Sequence, residues 1–114
     1  MSNETFWGHL DQLVAESRVI IDVPKGTKNP RFQEAPQCVD YGYLERTSSM
    51  DGDGIDVFVG SDLSRRVDAI VCTVDLFKRD SEIKILIGCT EAEKLAVEQL
   101  YEVFPQMRGL LVRR

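Results

Sequence analysis

The chain has one histidine, one tryptophan and three cysteines, and no Cys-x-x-Cys pair. Those counts exclude a disulfide framework and a zinc site of ordinary spacing. Cys72 and Cys89 lie in apolar runs and read as small core residues. A basic excess is also missing. The net charge is −5, so a broad electropositive face for nucleic acid is not expected. No apolar run approaches the ~20 residues that cross a bilayer, and the N-terminus has no basic-then-apolar leader. The expectation is a cytoplasmic protein with neither a nucleic-acid nor a membrane partner. Proline is scarce, and three of the four prolines (Pro24, Pro30 and Pro36) fall in one stretch. That leaves the remainder of the chain free for regular structure.

At 114 residues with 43% hydrophobic content, residues 1–114 are expected to form a single domain able to bury a core. Helical spacing of Phe6, Leu10, Leu13 and Val14, with Trp7 beside them, predicts a helix over 3–16. The β-branched run 18–23 predicts a strand that Pro24 ends. A loop over 24–40 carries Lys25, Lys28 and Arg31, a cationic set able to hold an anion. Residues 66–78 and 82–88 read as a hairpin, with Ile70, Cys72, Val74 and Leu76 on the apolar face of the first strand and Ile83, Ile85 and Ile87 on that of the second. Thr90 and Glu93 form a capping box for a helix running to about residue 103. Residues 108–114 suit a last strand.

The stretch that organises the chain is Asp51-Gly52-Asp53-Gly54-Ile55-Asp56, three carboxylates in six residues followed by a β-like apolar run. Carboxylates this close repel one another unless a cation lies between them, and a hard divalent ion takes oxygen ligands. A polar turn feeding a strand is the other reading, because Asp and Gly are common turn residues. An EF-hand is excluded. Counted from Asp51, Ile55 stands at the fifth position and Asp62 at the twelfth, and strands flank the loop. Tyr41 and Tyr43 share a face if extended. Asp22, Arg31, Tyr41, Tyr43, Asp51, Asp53, Asp56, Asp80, Glu82 and Lys84 make up a polar set facing away from the apolar sides. Carboxylates for divalent metal, with cations and hydroxyls for phosphate oxygens, suit phosphoryl chemistry by an acidified water.

The order of these motifs resembles the family I soluble inorganic pyrophosphatases. Asp51-Gly52-Asp53-Gly54-Ile55-Asp56 is similar to that family's Asp-Gly-Asp-Pro-x-Asp signature, and Tyr41-Gly42-Tyr43 precedes it by ten residues. Ile21-Asp22-Val23-Pro24 and Lys78-Arg79-Asp80-Ser81-Glu82-Ile83-Lys84 match more loosely. The resemblance covers residues 18–90. It implies an α+β, mainly β fold, a small closed OB-like barrel of about five strands, flanked by an N-terminal helix and one in the C-terminal half. It implies hydrolysis of inorganic pyrophosphate to two phosphates with several Mg²⁺ ions. Asp51, Asp53, Asp56, Asp80 and Glu82 would carry metal. Asp53 would be the base toward water, with Asp22 and Tyr41 also catalytic. Arg31, Lys84, Tyr41 and Tyr43 would hold substrate. Departures are equally visible: a hairpin bearing an Arg is missing between Gln33 and Tyr41, a C-terminal Tyr-Lys pair has no counterpart, Gly54 stands for Pro, and Asp22 for Glu. Arg108, Arg113 or Arg114 are the candidates to replace the lost cations. The alternative function is a non-catalytic or weakly active binding protein for metal or phosphate ligands on the same scaffold. A barrel without its hairpin leaves apolar surface that a homo-oligomer would cover.

Overall fold

The computed structural model describes residues 3–28 and 37–114. The elements are α1 (Asn3–Ala15), β1 (Val19–Val23), β2 (Asp40–Leu44), β3 (Asp56–Val59), β4 (Val67–Asp75), β5 (Asp80–Ile87), α2 (Glu91–Leu100) and β6 (Met107–Arg113). They form one mainly β, α+β architecture. The six strands lie in the order β1-β2-β3-β5-β4-β6. All neighbours are antiparallel except β3 and β5, which run parallel. The sheet is open where a closed barrel was expected. The outer side of β4 is occupied by β6, so β1 and β4 do not meet and β1 and β6 are the edges.

Both faces of the sheet are covered. On one side Leu10, Leu13 and Val14 of α1 pack against Leu44, Val57, Val59, Val67, Ile85 and Ile87. On the other, Val97 and Tyr101 at and just beyond α2 pack with Phe58, Ala69, Val71, Leu86 and Leu111. This double coverage explains why strand alternation misassigns faces. Val57, Phe58 and Val59 are all buried, as are Ile85, Leu86 and Ile87. The register of β4 against β5 also shifts between Val67 and Ala69. Beyond that shift Thr73 and Asp75 are buried while Val74 and Leu76 are exposed, the reverse of the alternation read from sequence. Ile83 is exposed and Lys84 is 4% exposed, again reversed. Asp75 is buried because it caps the hairpin turn, where its Oδ1 accepts from the amides of Phe77 and Lys78. In α1 it is Trp7 that is buried and Phe6 that is partly exposed.

The capping box of α2 is formed as the sequence predicts. The Thr90 hydroxyl accepts from the Glu93 amide, and Glu93 accepts from the Thr90 amide. Glu93 also accepts from Ser61, tying the helix start to the β3–β4 connection. The three thiols are free. Cys89 is buried, and desolvation raises its pKa to about 12, the state of an inert core thiol.

Gly42 sets the approach of β1 to β2. A Cβ there would lie 1.8 Å from the Ile20 carbonyl oxygen, so only glycine fits. Gly42→Ala is expected to lower stability by about 3 kcal/mol, at the upper end of overpacking penalties because the obstacle is backbone. Urea denaturation checks this, and a loss below about 1 kcal/mol would mean that β1 shifts freely.

Candidate metal centre

Strand β5 contributes alternate residues to the site. Asp80, Glu82 and Lys84 stand at every second position and share a face with Leu86. Strand β3 lies beside it in parallel, with Val57 opposite Ile85, which brings Asp56 next to Lys84. Strand β2 pairs Tyr41 with Phe58. The Tyr41 ring meets that of Phe58 edge-on, at 4.9 Å between centroids.

At the centre is a charge pair between the buried Lys84 and the half-buried Asp56. The Lys84 ammonium donates to Asp56 Oδ2 at 2.8 Å and to the Tyr41 hydroxyl at 3.0 Å. The Tyr41 hydroxyl itself donates to Asp56 Oδ2 at 2.6 Å. Glu82 lies 3.6 Å from the same ammonium. The side chains of Lys84 and Glu82 are 6% and 8% exposed. Burial disfavours the charged form of Lys84, but Tyr101, Tyr41 and Asp56 more than offset it and raise its pKa. Burial raises the Tyr41 pKa against the opposing pull of Lys84, so its proton stays on.

Beside this pair the loop between β2 and β3 delivers Asp51. Gly52 adopts a φ of 85°, the left-handed geometry that lets the loop turn back. Ser49 braces it: its hydroxyl donates to Asp51 Oδ1 at 2.8 Å, and its amide donates to the Asp53 carbonyl at 2.7 Å. The Asp53 amide donates to Asp51 Oδ1 at 3.0 Å. One carboxylate oxygen each from Asp51, Asp80 and Glu82 all lie within 4.8 Å of one another. A Mg²⁺ ion with oxygens at about 2.1 Å spans about 4.2 Å between opposite ligands. The three groups therefore fit one hard divalent cation with small side-chain adjustments. The Ser49 hydroxyl, against slight desolvation and together with a bond to Glu82, lowers the Asp51 pKa to about 2. Burial and Asp51 raise that of Glu82. The hydrogen bond the two carboxyl groups share pushes their proton affinities in opposite directions.

The other sequence-derived candidates are placed as follows. Asp53 is exposed on the turn, outside the three-carboxylate group. Asp56 belongs to the Lys84 pair. Tyr43 is half-buried and stands opposite Asp56 in the β2–β3 register. Its ring lies beside Gly54, where a Cβ would come within 2.9 Å of Tyr43 Cδ2. Asp22 is exposed, at the point where the β1–β2 register slips. Arg31, and residues 33–36 at the start of the stretch between Gln33 and Tyr41, lie outside the described residues. The C-terminal arginines are engaged elsewhere: Arg113 pairs with Glu91, Arg114 with Glu4 and Asp11, and Arg108 donates to the Phe104 and Met107 carbonyls.

With this geometry in view, the comparisons concern the fold. No protein-family model and no curated protein sequence matches the chain. Solved structures do match. The inorganic pyrophosphatase of Neisseria gonorrhoeae superposes with a TM-score of 0.61 at 14% identity, over 89% of this chain and 84% of that one. That of Coxiella burnetii gives 0.58 at 14%, over 83% and 82%. That of Helicobacter pylori gives 0.56 at 14%, over 87% and 84%. This chain has the pyrophosphatase fold.

Two cations escaped the sequence reading. Lys78 lies close enough to Asp51 to lower its pKa further. Arg79 lines a cavity of about 430 Å³ together with Asp75 and Asp80. Their signal was their position in the hairpin turn, directly before Asp80.

Lys84→Met leaves Asp56, its side chain 22% exposed, without its counter-charge. It is expected to cost about 3 kcal/mol at neutral pH, as for a broken buried pair, with urea denaturation as the readout. Divalent binding requires ionised carboxylates. Asp51 is ionised throughout the accessible range, whereas the raised pKa of Glu82 is crossed as pH falls. Mg²⁺ affinity measured by calorimetry is therefore expected to be strongest above the Glu82 pKa and to weaken below it, by up to about tenfold per pH unit. Equal affinity at pH 7.5 and pH 4 would contradict a direct role for Glu82.

Proposed function

We propose that this chain is a single-domain, cytoplasmic, Mg²⁺-dependent hydrolase of inorganic pyrophosphate. The observation that carries the reading is the convergence of Asp51, Asp80 and Glu82 beside the half-buried Asp56–Tyr41–Lys84 group. The fold shared with solved inorganic pyrophosphatases adds to it.

Asp51, Asp80 and Glu82 would hold a divalent cation, Asp53 stands near enough in sequence to serve a further ion, and Asp56 would reach one only through Oδ1, because Lys84 and Tyr41 both bond Oδ2. A cation held there would supply a Lewis acid for phosphoryl oxygens and make a bound water more acidic. Lys84 keeps its proton and offers fixed positive charge to a phosphoryl oxygen. Tyr41 keeps its hydroxyl hydrogen and holds Asp56 in place, and it can turn that donor toward substrate. Lys78 and Arg79 supply charge to the outer phosphate from the hairpin turn, in the role for which Arg108, Arg113 and Arg114 are already committed elsewhere. Asp53, exposed on its turn, is free to accept a proton from water. Asp22 and Arg31 complete the proposed set. Binding without turnover is the second reading, favoured by the commitment of those three arginines.

Phosphate release from pyrophosphate with Mg²⁺ is expected. Asp51→Asn, Asp53→Asn and Glu82→Gln are each expected to lower kcat by about 10² or more, the scale of a lost electrostatic contact in the transition state. Wild-type turnover no higher than that of Asp53→Asn, alongside saturable Mg²⁺ and phosphate binding in calorimetry, would select the binding reading instead.

A further inference from the structure

The turn of the β4–β5 hairpin is built around one carboxylate. Residues 76–79 form the turn between Asp75 and Asp80, which stand opposite each other in register. Thr73 likewise stands opposite Glu82, and Val71 opposite Lys84. Residues directly opposite in an antiparallel pair share a face, so Asp75 lies on the sheet face that carries Asp80, Glu82 and Lys84. Like charges in that relation repel. Asp75 is nevertheless only 8% exposed.

Its Oδ1 accepts from two turn amides, Phe77 at 2.9 Å and Lys78 at 3.1 Å. The Leu76 amide donates to the Gln106 carbonyl at 2.8 Å, which ties the start of the turn to the segment before β6. The turn then closes through Arg79 at a φ of 58°. Glycine takes that left-handed geometry without strain, so the backbone gives no reason for an arginine there. The side chains held by this turn are the two cations nearest the carboxylates' outer side. Lys78 lies close enough to Asp51 to lower its pKa. Arg79 lines the cavity of about 430 Å³ that Asp75 and Asp80 also line.

We propose that Asp75 is a positioning residue for substrate phosphate. By accepting from the Phe77 and Lys78 amides it fixes the turn that holds Lys78 toward Asp51 and Arg79 beside Asp80. The role belongs to the acceptor oxygen, and it acts through the two cations. This rests on the phosphoanhydride-hydrolase reading above and names the residue that orients two of its phosphate contacts.

The test measures affinity for imidodiphosphate, the P–N–P analogue of pyrophosphate, by calorimetry with Mg²⁺, alongside kcat for pyrophosphate and the urea midpoint. Asp75→Ala is expected to weaken imidodiphosphate binding about tenfold, the scale of a displaced hydrogen bond to a charged group. Its kcat at saturating pyrophosphate is expected to change by less than about threefold, the pattern of lost uniform binding. Asp75→Asn keeps a carbonyl oxygen for both amides and is expected to bind within about twofold of the wild type. In a Lys78→Met/Arg79→Gly background, Asp75→Ala is expected to add no further loss, because its effect runs through those side chains. Arg79→Gly alone is expected to weaken binding while leaving the urea midpoint no lower. If the alanine variant does not fold, Asp75→Thr, a weaker cap, takes its place with an intermediate loss.

Unchanged affinity in Asp75→Ala would mean that the cap serves folding alone. An equal loss in Asp75→Asn would mean that the charge acts rather than the acceptor. A further loss of about tenfold in the double background would mean that Asp75 acts apart from Lys78 and Arg79. Each of these overturns the inference and leaves pyrophosphate hydrolysis standing. A wild type that binds imidodiphosphate but releases no phosphate from pyrophosphate overturns the hydrolase reading, and the same affinities still decide the role of Asp75. A wild type that does neither overturns both.

Discussion

The site depends on one buried cation. Lys84, 4% exposed, sits against Asp56, Tyr41 and Glu82 on a sheet face otherwise given to Val71, Phe58 and Leu86. Without its charge the carboxylates of β3 and β5 would repel, and each would be desolvated with nothing in return. With it, Asp56 is neutralised from within and Glu82 from one side. Asp51 and Asp80 are then left toward the surface, with Asp51 held by the Ser49 hydroxyl and the Asp53 amide. The protein thus carries its own counter-ion for Asp56 and, from one side, for Glu82, which would leave Asp51, Asp80 and the other side of Glu82 for a cation from solution.

Much of this was legible from the chain. Alternating apolar residues, the β-branched run before Pro24 and the Thr90–Glu93 capping box locate the elements within a few residues. The Asp51–Asp56 stretch announces its own repulsion. The faces were not legible in β4 and β5, because α1 and α2 cover opposite sides of the sheet and alternation loses its meaning when both sides are buried. Lys84 was read as an outward polar residue for this reason. The parallel pairing of β3 with β5 is equally silent in sequence, since it joins segments separated by the whole of β4. Yet that pairing is what places Asp56 beside Lys84.

The turn chemistry divides in the same way. The need for glycine at position 42 comes from a backbone oxygen contributed by β1, which no local pattern reveals. Gly52 could be anticipated from its acidic neighbours, and its positive φ bears this out. The hairpin cations Lys78 and Arg79 were visible as residues, but their relation to Asp51 and Asp80 required the fold. A cavity lined by Phe6, Leu10 and Leu13 of α1 and by the β4–β5 hairpin is a tertiary product too, built from segments more than fifty residues apart in the chain.

The central claim is that Asp51, Asp80 and Glu82 together hold a divalent cation outside the Lys84 pair. Crystals grown with Mn²⁺ in place of Mg²⁺ would locate the ion by its anomalous scattering. The account predicts a peak bonded to one oxygen from each of the three, with the Lys84 ammonium still on Asp56. Saturating Mn²⁺ with no peak between those carboxylates, or a peak that displaces Lys84 from Asp56, would contradict it.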